Sequence, residues 1–262
     1  MSLERIWGML VQEFFITKRS LEVIVDLFFF STITIVVFGF VSLFLTGSIN
    51  GAPAHYLILG LLLWEVIRVN QYSITVGALW NIWSRNLSNM FVSPLNAREY
   101  VLALMISATA KSALVFLIVS TLAAAAFGFN ILSLGAGNVL LFFVNLNIFS
   151  WSIGLLLLGV VFVFGTRIQA LAWSMIFLFQ PLSASFFPVE VLPSFVKPVA
   201  YLIPTTYVFE AARGALENPG INWGSFGISF GLNMIYFLIS AVAFRAMFAR
   251  SKETGQFASN EG

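Results

Sequence analysis

The chain has 262 residues, of which 60% are hydrophobic and 9% charged, and its mean hydropathy is +0.96. Soluble domains carry about 25% charged residues. This composition therefore excludes a soluble globular protein and predicts an all-α integral membrane protein, a single transmembrane domain over residues 1–262. There is no cysteine, which excludes disulfides and thiolate metal sites, and the net charge of +2 is informative only through where the charges fall.

The first element is amphipathic. Leu3, Ile6, Trp7, Leu10 and Phe14 recur at helical spacing, with Glu4, Arg5, Gln12 and Glu13 elsewhere around the wheel. The pattern predicts an interfacial helix over 3–19 lying on the membrane surface, with Trp7 at headgroup level. Lys18 and Arg19 interrupt the apolar run before the first span. The start lacks the short basic region, apolar core and small-residue cleavage site of a signal peptide.

A crossing helix needs about 20 mostly apolar residues. Six such runs are predicted, at 23–46, 56–80, 101–127, 139–164, 168–187 and 226–248. Between the last two lies "FFPVEVLPSFVKPVAYLIPTTY", apolar enough for a seventh but carrying Pro188, Pro193, Pro198 and Pro204. A proline in a helix interior costs about 3 kcal/mol. Residues 188–223 therefore read as an outer segment, either a re-entrant one of one or two short helices, with Pro193 and Pro204 each in a first helical turn, or an ordinary external loop. Residues 250–262 form a polar tail of disordered composition.

Charge sets the orientation. Arg5, Lys18, Arg19, Arg85, Arg98, Arg167, Arg245, Arg250 and Lys252 fall on one side of this arrangement, and Lys197 and Arg213 on the other. By the positive-inside rule both termini are cytoplasmic and 188–223 is external. A seventh span would carry Arg245, Arg250 and Lys252 outward, against that bias.

Candidate chemistry within the chain is sparse. Asp26, the only aspartate, falls at the interface near the cytoplasmic end of the first span, and His55, the only histidine, at the outer end of the second. No Gly-x-Ser-x-Gly elbow accompanies His55. No acidic and histidine residues cluster at metal-ligand spacing, and no Gly-x-x-x-x-Gly-Lys-Ser/Thr phosphate loop is present. No catalytic, cofactor-binding or metal residue is assigned, and an ATP-driven process would need its ATPase on a separate chain.

The second span is polar in its middle: "LLLWEVIRVNQYS" carries Glu65, Arg68, Asn70 and Gln71. A charge at the bilayer centre costs about 2.5–3.5 kcal/mol, so such side chains face a bundle interior or water. Glu65 and Arg68, three apart, are helix neighbours; they either neutralise each other as packing glue or line a transport path. Lys111 in the third span is a candidate partner for Glu65. Gly227 and Gly231 in the sixth make a small-xxx-small pattern suited to close helix packing.

The loop "NIWSRNLSNMFVSPLNAREY", residues 81–100, predicts a short helix parallel to the membrane, broken at Pro94. Trp83, Leu87, Met90 and Phe91 recur at near-helical spacing with Arg85 and Arg98 beside them. Such a stripe suits either the membrane surface or a groove on a soluble partner.

Two motifs make the chain resemble the ABC type-2 permeases, membrane subunits of bacterial exporters for drugs, polysaccharides and lipid-linked glycans. "SRNLSNMFVSPLNAREYVLA" resembles the first cytoplasmic loop of that family with its Ser-Pro-Leu turn. "FFPVEVLPSFVKPVAYLIPTTYVFEAARGAL" resembles the signature after the fifth span: Phe187–Pro188, Leu192–Pro193, Pro204 to Tyr207, then Glu210 with Arg213. The resemblance implies a dimer, most simply a homodimer, of six-span subunits in the bacterial cytoplasmic (inner) membrane. Two ABC ATPase subunits would bind it and hold the ATP and Mg²⁺; membrane lipid would surround it, and nucleic acid would have no part. On this resemblance Arg85, Leu87, Met90, Phe91 and Pro94 belong to an ATPase-coupling helix over about 84–96, with the amphipathic start as a gate helix beside it. Phe187, Pro188, Leu192, Pro193, Pro204, Tyr207, Glu210 and Arg213 belong to an outer gate, and the exported substrate is amphipathic, drug-like or a lipid or glycan. The charges of the second span depart from the plain apolar form and take no role from the resemblance. The competing reading is an ATP-independent channel or a scaffold subunit of a membrane complex.

Overall fold

The computed structural model describes residues 1–48 and 52–254. Every regular element among them is helical. The chain begins with α1 (Leu3–Arg19). Then α2 (Leu21–Ile24), a π-helical turn (Val25–Phe29) and α3 (Phe30–Ser48) form one ascending rod. α4 (Ala52–Trp83) descends beside it, and α5 (Leu87–Val92) is a short turn of helix before α6 (Ala97–Phe127) ascends. A 3-10 turn (Ile131–Leu134) leads into α7 (Ala136–Phe164), and a second (Gly165–Ile168) into α8 (Gln169–Leu182). α9 (Lys197–Leu202) and α10 (Pro204–Glu217) follow, and α11 (Trp223–Glu253) descends last.

Five stretches are long and apolar enough to cross a membrane: Leu21–Leu45, His55–Trp83, Ala97–Phe127, Ala136–Leu182 and Trp223–Glu253. The fourth is two helices in series. At 47 residues it would extend about 70 Å as one helix, and it is broken at Gly165, whose φ of +62° is open to glycine and strained for other residues. Phe149 of α7 meets Phe179 of α8 with ring centroids 5.3 Å apart, so the chain doubles back there. α8 is shorter than the expected 168–187 run. Pro181 lies in its last turn, and the helix stops one residue later. Ser185 Oγ then donates to the Gln180 carbonyl at 3.0 Å, satisfying an acceptor at the helix end. The tail also differs from expectation: α11 continues through Arg250 to Glu253, and residues 255–262 lie outside the described residues.

α4 is the post around which the others stand. Its apolar window is 89% buried, against 22% for α11 and 28% for the first rod. Two apolar cores meet along it, one holding Leu62, Trp64 and Phe149, the other Leu104, Leu158 and Phe162. The rods containing α3 and α11 leave their outward faces exposed, with Phe40, Phe44, Leu238 and Ile239 among the exposed apolar residues. That distribution fits a bundle with lipid as its outer solvent.

α1 divides its faces differently from the expected surface helix. Leu3, Trp7 and Phe14 are exposed as anticipated, but Ile6, Met9 and Glu13 are buried against the bundle. Glu13 is only 1% exposed and pairs with Lys111 of α6 at 2.9 Å. Lys111 is thus the partner of Glu13 and not of Glu65: the pair lies at the level of Gly77, twelve residues and about 18 Å along α4 from Glu65. Gly77 leaves the room: a Cβ there would lie 3.4 Å from Glu13 Oε1. Arg5 adds a second tie, pairing with buried Glu99 at 3.3 Å and donating to the Pro94 carbonyl. Gly227 and Gly231, by contrast, meet nothing within 4 Å in the described chain.

Replacing one member of a buried pair leaves the other charge without compensation, at a cost of about 3–5 kcal/mol. Glu13→Gln is expected to lower the unfolding midpoint of the detergent-purified chain and expose α1 to proteolysis. The double variant Glu13→Gln/Lys111→Met is expected to recover most of that loss. An unchanged midpoint in the single variant would show that the pair does not hold α1.

Candidate functional site

The polar residues of α4 face inward and organise two linked groups. In the first, Glu65 and Arg68 form an ion pair at 2.7 Å, with Arg68 Nε donating to both carboxylate oxygens at 3.1 Å. Arg68 Nη2 also donates to Ser31 Oγ at 2.7 Å, and Ser31 Oγ lies 2.6 Å from both Glu65 Oε2 and the Leu27 carbonyl. The guanidinium further approaches the Asp26 backbone carbonyl at 3.5 Å. Asp26 is therefore no isolated interfacial residue: its carboxylate accepts from Tyr72 of α4 at 2.5 Å. The π-helical turn that contains Asp26 makes this possible, because its wider i→i+5 turn places Asp26 and Ser31 beside the same guanidinium.

The second group ties α4 to the helices behind it. Asn70 donates to Asn147 of α7 and to Thr109 of α6 at 3.3 Å. Ser112 donates to the same Asn147 oxygen at 3.3 Å, and Trp151 donates to Thr109 at 3.1 Å. Gln71 and Thr75 both reach the Ala172 carbonyl of α8, at 2.9 and 3.3 Å. Away from water such side-chain bonds contribute modestly one by one and fix rotation and register together.

In front of the first group lies a cavity of about 420 Å³. One wall is a stripe of the first rod, from Asp26 through Phe30 and Thr34 to Phe38. The floor is α4 from Leu61 to Tyr72, and the other wall is Trp173, Phe177 and Gln180 of α8. Phe38 and Phe186 stack with centroids 6.5 Å apart at the end nearest α9. The cavity is thus aromatic along its sides and charged at its floor.

At the α1 end, α5 packs inward. Leu87 and Met90 are buried, and Phe91 sets its ring against Tyr100 at 5.6 Å and Phe248 at 5.3 Å. Trp83 belongs to α4 and meets Trp80 edge to face, ring centroids 5.4 Å apart. The surface at α5 includes Arg85, Asn89, Val92 and Pro94, all exposed, with Val92 87% exposed. Arg85 has a φ of +52°, a left-handed turn that ends α4.

At the other end, the proline-rich segment folds back along α11. Tyr236, thirteen residues into α11, donates to the Leu202 carbonyl at 3.3 Å, and Ser229 donates to the Pro204 carbonyl at 2.9 Å. At 1.5 Å per residue the Leu202 bend lies about 20 Å down α11. α10 then returns to the top of the bundle, where Asn138 of α7 donates to the Pro219 carbonyl at 2.9 Å. Pro204 opens α10 as expected. Pro193 does not open a helix; its carbonyl closes the turn before α9, and Pro198 takes the first-turn position.

Glu210 and Arg213 clasp this segment. They pair at 2.6 Å. Arg213, 5% exposed, donates to the Ala184 carbonyl at 3.0 Å, and Glu210 accepts from the Val189 amide at 2.9 Å. The Phe187–Pro188 turn is thereby pinned to α10, and Phe187 and Leu192 pack over Ala184, Val189 and Ala200. Tyr207 donates to the Tyr201 carbonyl at 3.1 Å. His55 stands apart, its ring 5.9 Å from that of Phe129.

Residues 4–216 match the sequence pattern of the ABC-2 type transporter family. The chain belongs to that family. The match runs from α1 through almost all of α10, so it takes in the α4 post, the α5 turn and the clasped segment. A comparison with curated proteins finds no match. As an ABC-2 transporter domain the chain is a multi-pass membrane permease component, not itself the catalytic part, and it works with an ABC ATPase subunit.

Within this ABC-2 domain, Glu65, Arg68, Asn70 and Gln71 sit together on one helix as the sequence suggests, while Lys111 is elsewhere. Asp26, Ser31 and Tyr72 complete the charged group and have no spacing in the sequence that announces them. The Glu210–Arg213 clasp makes a direct prediction. Arg213→Ala is expected to release the turn, so that amide exchange at Ala184–Val191 quickens at least tenfold while α4 amides stay protected. Unchanged exchange at those amides would show that the clasp holds nothing.

Proposed function

We propose that the chain is the permease half of an ATP-driven exporter, moving an amphipathic substrate out of the cytoplasm along the cavity between α3 and α8. The observation that carries this reading is the cavity itself. It lies beside the most deeply buried helix, has aromatic walls and holds an ion pair at bundle depth, where charges are costly unless they serve a path or a partner. α8 counts as a sixth, short crossing, completed by residues 183–187. Both termini lie in the cytoplasm of a bacterial cell, a reading that the basic residues at the α1 end support.

The exposed edge of α5, with Arg85, Asn89, Val92 and Pro94, docks in a groove on the ATPase, which carries the ATP and Mg²⁺. Leu87, Met90 and Phe91 act one step behind, passing the push into the core around Phe162 and Phe248. α1 moves with α5 through the Arg5 bonds to Glu99 and Pro94. The α9–α10 wedge re-enters the membrane from outside and closes the exit. A second copy of the chain completes the path.

Val92→Glu is expected to abolish substrate-stimulated ATP hydrolysis and weaken co-purification of the ATPase at least tenfold, without lowering the unfolding midpoint of the permease, because Val92 supports nothing inside the chain. Full coupling in that variant would contradict the docking face. A chain that conducts without any ATPase would favour the channel reading.

A further inference from the structure

The cavity carries an uncompensated charge. Of its lining residues Asp26, Glu65 and Arg68 are charged, so two carboxylates stand against one guanidinium. That guanidinium is committed: Glu65, Ser31 and the Asp26 carbonyl take its donors. The Asp26 carboxylate, in contrast, receives only the Tyr72 hydroxyl among the described residues. Asp26 is half-buried and shares the Arg68 guanidinium with Glu65, so the group keeps one surplus negative charge, and a cation beside it lowers the cost of that charge.

Two further atoms in the same walls lack partners. Gln71 is 1% exposed and Trp64 2%, and Gln71 Oε1 and Trp64 Nε1 have no hydrogen bond. Both residues line the cavity. Both atoms are enclosed behind the cavity surface, so they add polar character to its walls and no contact surface of their own. The remaining lining is the aromatic set Phe30, Phe38, Trp64, Trp173, Phe177 and Phe186, whose ring faces attract cations as well as apolar bodies. An anion would meet the surplus negative charge and no free donor cation.

We propose that this cavity binds an amphipathic monocation, with the Asp26 carboxylate as its counter-charge and the aromatic rings as its walls. As a statement about the transported substrate it rests on the reading of the cavity as the export path; as a statement about binding it stands alone. The test uses the full chain in nanodiscs of zwitterionic lipid, with empty nanodiscs as background. Its probes are tetraphenylphosphonium and tetraphenylborate, of one shape and opposite charge. The phosphonium is expected to bind saturably and the borate not. Asp26→Asn is expected to weaken phosphonium binding by about tenfold, and Asp26→Glu to retain it. Equal saturable binding of both probes, no saturable phosphonium binding, or full affinity in a folded Asp26→Asn chain would each overturn the proposal. If Asp26→Asn does not fold, the comparison of the two probes on the unaltered chain decides. Cation binding by a chain that never associates with an ATPase would sink the pump reading alone. An ATPase-coupled complex without cation binding would sink this one alone.

Discussion

A bilayer cannot solvate a bare charge, and the ion pair on α4 is how this fold meets that constraint. Glu65 and Arg68 neutralise each other at 2.7 Å, and Ser31 and the Asp26 carbonyl take up the guanidinium's remaining donors. Removing either partner of such a pair costs about 3–5 kcal/mol. The need to satisfy them fixes the rotation of α4, and that rotation aims Asn70 at α6 and α7 and Gln71 at α8. Lipid offers the helices no hydrophobic reason to associate, so these bonds and the close packing around them are what select one arrangement.

The two ends of the bundle repeat the same device. At one end Glu13–Lys111 and Arg5–Glu99 hold α1 against α6. At the other Glu210–Arg213 holds the Phe187–Pro188 turn against α10. The first two pairs join α1 to a crossing helix, and the third, within α10, holds the turn through the Val189 amide and the Ala184 carbonyl. The α5 region is thus tied to α1 through Arg5 and to the core around Phe162 through Phe91, while the α9–α10 wedge is held by a separate clasp.

Much of this was legible in the sequence because lipid enforces simple rules. Apolar length gave the long helices, four prolines excluded a straight helix over 188–204, and the motif around Glu210 and Arg213 marked a real unit. What escaped depended on long-range contacts or on departures from the 3.6-residue period. Glu13 read as a polar-face residue because nothing local tells a solvated carboxylate from one that meets Lys111 across 98 positions. Asp26 and Ser31 are five apart, a spacing that separates them on an α-helix and unites them on a π-helical turn. Pro181 was hidden inside an apolar run whose hydropathy continued past the point where the backbone stops. Leu87 and Met90 read as partner-facing because an apolar stripe does not reveal which surface it covers.

The proposed export requires the space between α3 and α8 to be a path and not a seam filled by lipid. The chain has no native cysteine, so a single introduced thiol reports cleanly. Thr34→Cys places one on the cavity wall and Leu117→Cys one on the exposed outer face of α6. In the assembled transporter, labelling of Cys at position 34 by a small water-borne thiol reagent should change between nucleotide-free and ATP-bound states and be blocked by substrate, while position 117 stays unreactive throughout. Equal, state-independent inertness at both positions would contradict the account.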